Sequence, residues 1–144
     1  MISGKKLKEL RLLRQLTQKE LANMSGLTDA AIRNYELGNR SPSEEQLRKI
    51  ADALDCDASA LVDHSPLTIF EFMQIIFDYE KELKIRPLVE ESTTGLMFHN
   101  ETFNDFIIEW DEMRKKHYNG EISDDDFRDW KLSYPKKSRV LKTK

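Results

Sequence analysis

The chain has 144 residues, enough for one average domain or two small ones, and its 39% hydrophobic and 34% charged residues are typical of a soluble globular protein. No apolar run approaches the length of about 20 residues that spans a membrane, and the start lacks a secretory signal pattern, which predicts a cytoplasmic protein. The single cysteine, Cys56, excludes an internal disulfide framework and indicates a reducing compartment.

Charge is distributed unevenly along the chain, although the formal net charge is only −3. Residues 1–40 hold eight basic and four acidic side chains, whereas residues 65–135 hold eight basic and sixteen acidic ones. Five more basic residues follow in 136–144. A basic front beside an acidic rear indicates a protein that presents one end to a polyanion, because the local field matters more than the net charge.

The first predicted helix runs over residues 5–14, and residues 17–38 then predict two short helices separated by a glycine turn. Thr17 and Glu20 form a capping box at the start of the first of these two helices. Gly26 suits the left-handed backbone that ends it, and Thr28 can cap the next helix. Two short helices joined by a tight glycine turn are the sequence form of a helix-turn-helix unit.

The same stretch contains a series of short motifs: LTQKELA at 16–22, GLT at 26–28, Ala31-Ile32, Tyr35-Glu36 and Gly38. With these motifs, residues 4–62 resemble the phage-repressor-like (XRE) helix-turn-helix family. The resemblance implies a compact five-helix DNA-binding domain that places the second helix of the motif in the major groove. By the same resemblance, the expected base-reading residues are Asp29, Ala30, Arg33 and Asn34, and the expected phosphate contacts are Thr17, Gln18, Thr28, Asn39 and Arg40.

Each expected base-reading residue has a matching chemistry. Arg33 could bind O6 and N7 of guanine, Asn34 could bind N6 and N7 of adenine, and Ala30 could contact a thymine methyl group. Asp29 departs from the glutamine, arginine or serine common in the family. Asp29 either accepts a hydrogen bond from cytosine N4 or only stabilises the amino end of its helix as an acidic first-turn residue.

Arg11 has two interpretations. The family resemblance pairs it with Glu36, which would tie the first helix to the end of the recognition helix. The general expectation for a single arginine is a solvated charge on a helix surface. We favour the ion pair because Glu36 stands at the matching position.

Beyond the recognition helix, Ser43 and Gln46 form another capping box before a fourth helix over 44–54, and Asp57 caps a short fifth helix that reaches Val62. Cys56 is expected to be a small buried residue and no nucleophile. We place the domain boundary at His64-Ser65-Pro66, which gives a DNA-binding domain over 1–64, a small helical dimerisation or regulatory domain over 65–135, and a basic disordered tail over 136–144.

The second domain is predicted to be mainly helical. A helix over 68–83 is followed by a candidate β-hairpin formed by 85–90 and 96–99, and two further helices are expected at 102–118 and from Ser123 to Pro135. The whole chain is therefore predicted to be mainly α. Residues 109–131 are also similar to SHOCT domains, short helical hairpins associated with oligomerisation.

Apolar side chains recur at helical spacing in this small second domain. Because small domains bury their apolar surface poorly alone, we expect a homodimer. The candidate dimerisation residues are Phe72, Ile76, Phe106, Trp110, Phe127 and Trp130. A dimer would address two DNA half-sites about 10 bp apart.

No catalytic, cofactor or metal site is expected. The three histidines, His64, His99 and His117, lack HExxH or CxxC spacing, and the acidic run 124–126 suits a helix start. Three functions stay open: a sequence-specific, nucleoid-associated repressor of bacterial or phage type; an antitoxin-type protein whose second domain binds a partner protein; and a ligand-sensing regulator with a pocket among Phe72, Phe77, Phe98 and Trp110.

Overall fold

The computed structural model describes residues 1–138. Within this range the chain is mainly helical with one antiparallel hairpin, as predicted. The helices are α1 (Gly4–Leu13), α2 (Gln18–Ser25), α3 (Asp29–Glu36), α4 (Glu44–Ala53), α5 (Ile69–Tyr79), α6 (Glu101–Tyr118) and α7 (Asp124–Ser133), with a 3₁₀ helix at Ala58–Leu61. The strands are β1 (Arg86–Glu90) and β2 (Thr93–Met97).

Helices α1 to α4 and the 3₁₀ helix enclose one apolar core. Its fully buried side chains come from every one of these helices or the segments next to them, and are Leu7, Leu10, Leu21, Ile32, Ile50, Leu54, Cys56 and Leu61. Gly4 lets α1 approach the end of α3, since a Cβ at this residue would lie 2.3 Å from the carbonyl oxygen of Glu36. The backbone of Ser3 donates to the carbonyl of Leu61 at 2.7 Å and anchors the start of the chain to this core.

The local signals between residues 17 and 62 fold as the sequence predicts, with one exception. Both capping boxes are present, and Gly26 ends α2 with a left-handed φ of 68°. The expected fifth α-helix is only one turn of 3₁₀ helix, because Asp57 holds the amide and hydroxyl of Ser59 at 2.9 and 2.6 Å and the chain extends again at Val62. Burial raises the pKa of the Cys56 thiol to about 12, consistent with a structural role.

The structure divides the chain between residues 63 and 64, at the expected boundary, and again between residues 113 and 114, where no boundary was expected. The first unit contains residues 1–63 together with 114–138, and the second unit contains residues 64–113. Helix α7 packs against α1 and the 3₁₀ helix, and Leu132, only 3% exposed, joins the core of the helix-turn-helix part. Residues 114–138 belong to the first unit because the apolar side of α7 packs into this core.

Polar contacts hold α7 on α1 as well. The guanidinium of Arg128 donates two hydrogen bonds to the carboxylate of Glu9, at 2.7 and 3.0 Å. Trp130 is 7% exposed and stacks edge-on against Tyr134, so it lies inside the first unit and is not on a surface open to a second copy. Phe127 is half-buried between His117 and Trp130. Both side chains therefore pack within the first unit, and their role in dimerisation stays a prediction.

The predicted tail begins with ordered contacts. The ammonium group of Lys137 lies 2.8 Å from a carboxylate oxygen of Asp129, and that of Lys136 lies 3.8 Å from Asp52. These two lysines belong to the first unit, which corrects the expected start of the tail at 136. The rest of the predicted tail, residues 139–144, lies outside the described residues.

The second unit consists of α5, the hairpin and α6 up to Met113. The hairpin pairs Arg86 with Met97 and Glu90 with Thr93, so its second strand begins at Thr93 and not at residue 96 as the sequence predicts. Only Ile85 and Glu109 are buried in this unit, and α5 has no buried residue at all. Among residues 1–138, no helix is both long and apolar enough to cross a bilayer.

Candidate nucleic-acid interface

Helix α3 presents a polar side to solvent and an apolar side to the core. Ile32 and Tyr35 are buried, whereas Asp29, Ala30 and Arg33 are exposed. Thr28 caps the helix by accepting a hydrogen bond from the backbone N–H of Ala31 at 3.1 Å. The helical period places the exposed residues on one side, where a groove of DNA could meet them.

Arg33 and Asn34 differ in the burial of their side chains and in the hydrogen bonds that these side chains form within the protein. No other group of the described residues pairs with the guanidinium of Arg33. Asn34 is half-buried, and its side-chain oxygen accepts a long hydrogen bond of 3.4 Å from the amide of Asn39. Arg33 is therefore the more available of the two for a contact with a base edge.

The carboxylate of Asp29 is turned towards its own helix. One of its oxygens accepts a hydrogen bond from the backbone N–H of Ala30 at 3.0 Å. This contact stabilises the amino end of α3 and places a negative charge where the helix dipole favours one.

A buried ion pair braces the carboxyl end of α3. The guanidinium of Arg11 donates to both carboxylate oxygens of Glu36, at 2.5 and 3.1 Å, and to the carbonyl of Leu16 at 2.7 Å. The amide of Gln18 donates to the same carboxylate at 2.9 Å. The side chains of Arg11 and Glu36 are only 9% and 4% exposed. One carboxylate thus joins α1, the start of α2 and the end of α3.

Comparison with known proteins assigns this fold to a family. A helix-turn-helix family model matches residues 7–61. The immunity repressor protein of Bacillus phage phi105 is 30% identical over 114 residues, which cover 76% of this chain and 78% of that protein. The chain belongs to the phage-repressor-like helix-turn-helix family. It is therefore a DNA-binding transcription regulator.

One solved structure is also similar to this family member, at a lower sequence identity than the phage protein. The structure is that of a complex of SinR protein and SinI protein, and the match is 22% identical with a TM-score of 0.44. It covers 81% of this chain and 100% of the matched chain. At this level of similarity the match carries no functional conclusion.

The residues expected to contact phosphate lie at three places in this family member, and one of these is Thr28 at the start of α3. Thr17 and Gln18 start α2, where Thr17 is exposed and its hydroxyl accepts from the backbone of Glu20 at 3.1 Å. Asn39 and Arg40 are exposed in the turn after α3, which Gly38 opens with a φ of 75°. Gln18 donates one amide hydrogen to Glu36. The same side chain would therefore support the ion pair of Arg11 and Glu36 and make any phosphate contact.

One positioning contact was missed at the sequence level. The hydroxyl of Tyr35 donates to the side-chain oxygen of Gln46 at 3.1 Å, and that oxygen also accepts from the backbone of Ser43 at 2.9 Å. The capping box of α4 thereby fixes α3 as well. The sequence identifies Gln46 as a capping residue, but no pattern in it indicates that the side-chain oxygen accepts a second hydrogen bond from another helix.

The aromatic pocket considered for a ligand is not formed as expected. Phe72, Phe77 and Trp110 are 52%, 63% and 43% exposed, so these rings do not line an enclosed cavity. Phe98 instead stacks on Phe103 with a centroid distance of 4.1 Å. Residues 1–138 also contain no cluster of three or more His, Cys, Asp or Glu side chains that could hold a metal ion.

Proposed function

We propose that this protein represses transcription by binding an inverted-repeat operator as a homodimer, with α3 of each copy in the major groove. The observation that carries the proposal is the exposed polar side of α3 on a helix whose end is fixed by the buried pair of Arg11 and Glu36. The phage relative is named an immunity repressor, which favours repression over activation. The site of action is the nucleoid in the cytoplasm, and the function requires no catalysis or cofactor.

Base reading is assigned to the first two turns of α3. Arg33 binds the O6 and N7 atoms of a guanine, Asn34 binds an adenine, and Ala30 contacts a thymine methyl group. The hydrogen bond from Ala30 to Asp29 supports the helix-start role for Asp29 over cytosine recognition. Two bidentate contacts, each discriminating by about 1–3 kcal/mol, are enough to define a half-site.

Phosphate contacts flank the base-reading residues. Thr17, Gln18 and Thr28 start the two helices of the motif, and backbone N–H groups at helix starts favour anions. Asn39 and Arg40 lie beyond the end of α3. The excess of basic side chains in residues 1–40 supports DNA binding by this part of the chain, because positive charge attracts the phosphate backbone.

Dimerisation is assigned to the second unit. An eleven-residue helix without one buried side chain is unusual, and α5 exposes most of its large apolar residues, among them Phe72. A second copy is the occupant that is always present when the chain is made, and two-fold symmetry matches an inverted repeat. Four of the predicted candidates stay in this proposal: Phe72, Ile76, Phe106 and Trp110.

The test is selection of bound sequences from random duplex DNA by the full chain and two variants. Arg33→Ala and Asn34→Ala should each relax the selected sequence at one position per half-site. The matched controls are Arg48→Ala and Asn23→Ala, which remove exposed side chains of the same types from α4 and α2. The proposal would be overturned if the wild-type dimer selected no sequence. It would also be overturned if Arg33→Ala and Asn34→Ala both selected the same sequence as the wild type.

The antitoxin-type alternative rests on the same exposed α5. A partner protein could cover this helix in place of a second copy. The molar mass of the pure full chain by light scattering separates the two, because a monomer would favour the partner protein and a dimer would favour the repressor.

A further inference from the structure

The second unit is acidic, yet its basic side chains gather at one place. Residues 64–113 contain three lysine or arginine residues and eleven aspartate or glutamate residues. All three of the basic residues line a single cavity of about 610 Å³. The lining residues are Glu80, Lys81, Lys84, Ile85, Arg86 and His99.

Backbone contacts fix the chain around this cavity. The segment after α5 turns back on itself, with the N–H of Ile85 on the carbonyl of Glu80 at 2.9 Å and a left-handed φ of 50° at Lys84. The N–H of His99 donates to the carbonyl of Leu83 at 3.2 Å and joins the exit of the hairpin to this turn. Ile85 is one of the two buried residues of the unit. The lining residues therefore come from two segments that are hydrogen-bonded to each other.

The basic side chains and the histidine at the cavity have no charged partner bonded to them within residues 1–138. None of Lys81, Lys84, Arg86 and His99 forms a side-chain hydrogen bond or ion pair with a described group.

The helix dipole explains only part of this grouping. Lys81 follows the carboxyl end of α5, where a positive charge is favourable. Arg86 and His99 belong to the hairpin and its exit, so the dipole of α5 gives no reason for them to line the same cavity. An anion between the two segments would satisfy all of these donors at once.

We propose that this cavity binds a small anionic ligand through a phosphate or carboxylate group held by Lys81, Lys84 and Arg86, with His99 as a further hydrogen-bond donor. Glu80 is the one carboxylate of the lining, and it selects a ligand that carries a hydroxyl or amino donor next to its anionic group. The volume lies in the range of small-molecule sites. A DNA backbone is disfavoured here because the eleven acidic residues of the unit repel an extended polyanion.

Calorimetric titration of the full chain with inorganic phosphate and with phosphoserine, at constant ionic strength in chloride, tests the proposal. Wild-type protein should bind both probes saturably and phosphoserine more tightly, because its amino group can donate to Glu80. The double variant Lys81→Gln/Arg86→Gln should lose about tenfold in affinity for each charge-assisted contact removed. Lys84 is left unchanged, because its left-handed backbone makes a substitution there harder to interpret.

The matched control is Lys116→Gln, which removes an exposed cation from α6 outside the cavity. It should bind both probes like the wild type. The absence of saturable binding by wild type, or equal affinities in the double variant, would overturn the proposal. The double variant could instead bind all DNA sequences more weakly, with a salt dependence of the affinity that corresponds to about two fewer phosphate contacts. That result would also overturn the proposal, because it would show that these residues contact DNA. None of these outcomes depends on whether α3 reads bases.

Discussion

The guanidinium of Arg14 lies 2.7 Å from a carboxylate oxygen of Asp129, a residue 115 positions later in the chain. Arg14 also donates to the hydroxyl of Ser133 at 2.8 Å and to the carbonyl of Leu54 at 2.9 Å. The side chain that directly follows α1 therefore bonds to α7 and to the residue that follows α4. This contact makes α7 a structural part of the DNA-binding unit, although the sequence places it in another domain.

The first prediction concerns the apolar contact of α7. Leu132→Ala should lower the free energy of unfolding by about 2–5 kcal/mol, because it opens a cavity in the core shared with α1. Urea unfolding followed by circular dichroism measures this. The control Leu12→Ala removes the same atoms from a 55% exposed position on α1 and should cost much less. Equal effects of the two variants would mean that α7 does not share the core.

The second prediction is a pH dependence at Asp129. Burial alone would raise the pKa of this carboxyl, but hydrogen bonds from Lys137, Arg14 and Ser133 outweigh it and lower the pKa from 3.8 to about 2. Because the pKa is lower in the folded chain, the stabilisation is present above about pH 4 and is lost as the pH falls towards 2. Partial exposure and solvent screening limit it to about 1 kcal/mol.

The measurement compares unfolding of the wild type and Asp129→Asn between pH 6 and pH 2. The difference in their free energies of unfolding should shrink as the pH falls through this range. Asp78→Asn, which neutralises an exposed carboxylate on α5, serves as the control and should show no such convergence. A difference between wild type and Asp129→Asn that stays constant with pH would contradict the prediction.

The third prediction tests the brace of the recognition helix. Glu36→Gln leaves the guanidinium of Arg11 in a buried place without its counter-charge, so it should destabilise the protein by about 3–5 kcal/mol. It should also weaken DNA binding at temperatures where the chain is still folded, because the end of α3 loses its contacts with Arg11 and Gln18. Urea unfolding and fluorescence anisotropy with labelled DNA measure the two effects.

The control for the brace is Glu44→Gln. Glu44 pairs with Arg48 on the surface of α4, where the two side chains are 80% and 66% exposed, and such pairs contribute little. A loss of stability as large in this control as in Glu36→Gln would show that the burial of the Arg11 pair has no special effect.

The sequence was informative wherever the signal is local. The capping box of Thr17 and Glu20 and the left-handed turn at Gly26 are read from neighbouring residues, and α2 begins and ends where they indicate. The family resemblance added Arg11 and Glu36, which no local pattern joins. Periodicity also predicts the three helices of the later chain, and turn residues predict the hairpin, with bounds that differ by a few residues from the observed ones.

The return of α7 to α1 could not be predicted in the same way. Its contacts join residues more than a hundred positions apart, and neither Arg14 nor Asp129 has a neighbour that marks it as half of a pair. The apolar spacing of Phe127 and Trp130 indicates a helix with one buried side, but the pattern does not identify the surface that buries it. For this reason the sequence places Trp130 on a dimer surface, whereas its side chain packs within the first unit.

The fourth prediction concerns the proposed dimer. Phe72→Glu should weaken self-association by about a hundredfold or more, because it places a charge in an apolar contact of α5. Sedimentation equilibrium over a concentration series measures the dissociation constant. Gln74→Glu adds the same charge at an exposed polar position of the same helix and should have little effect. A dimer unaffected by Phe72→Glu would mean that α5 is covered by something other than a second copy.

The most direct test of DNA recognition by α3 is the affinity of the full chain for its selected operator and for every single-base substitution of it. Wild type and Arg33→Ala are compared at one salt concentration. We expect Arg33→Ala to lose about 1–3 kcal/mol of discrimination at one base pair per half-site and to keep the wild-type pattern elsewhere. An unchanged pattern of discrimination at every position would contradict base reading by this helix.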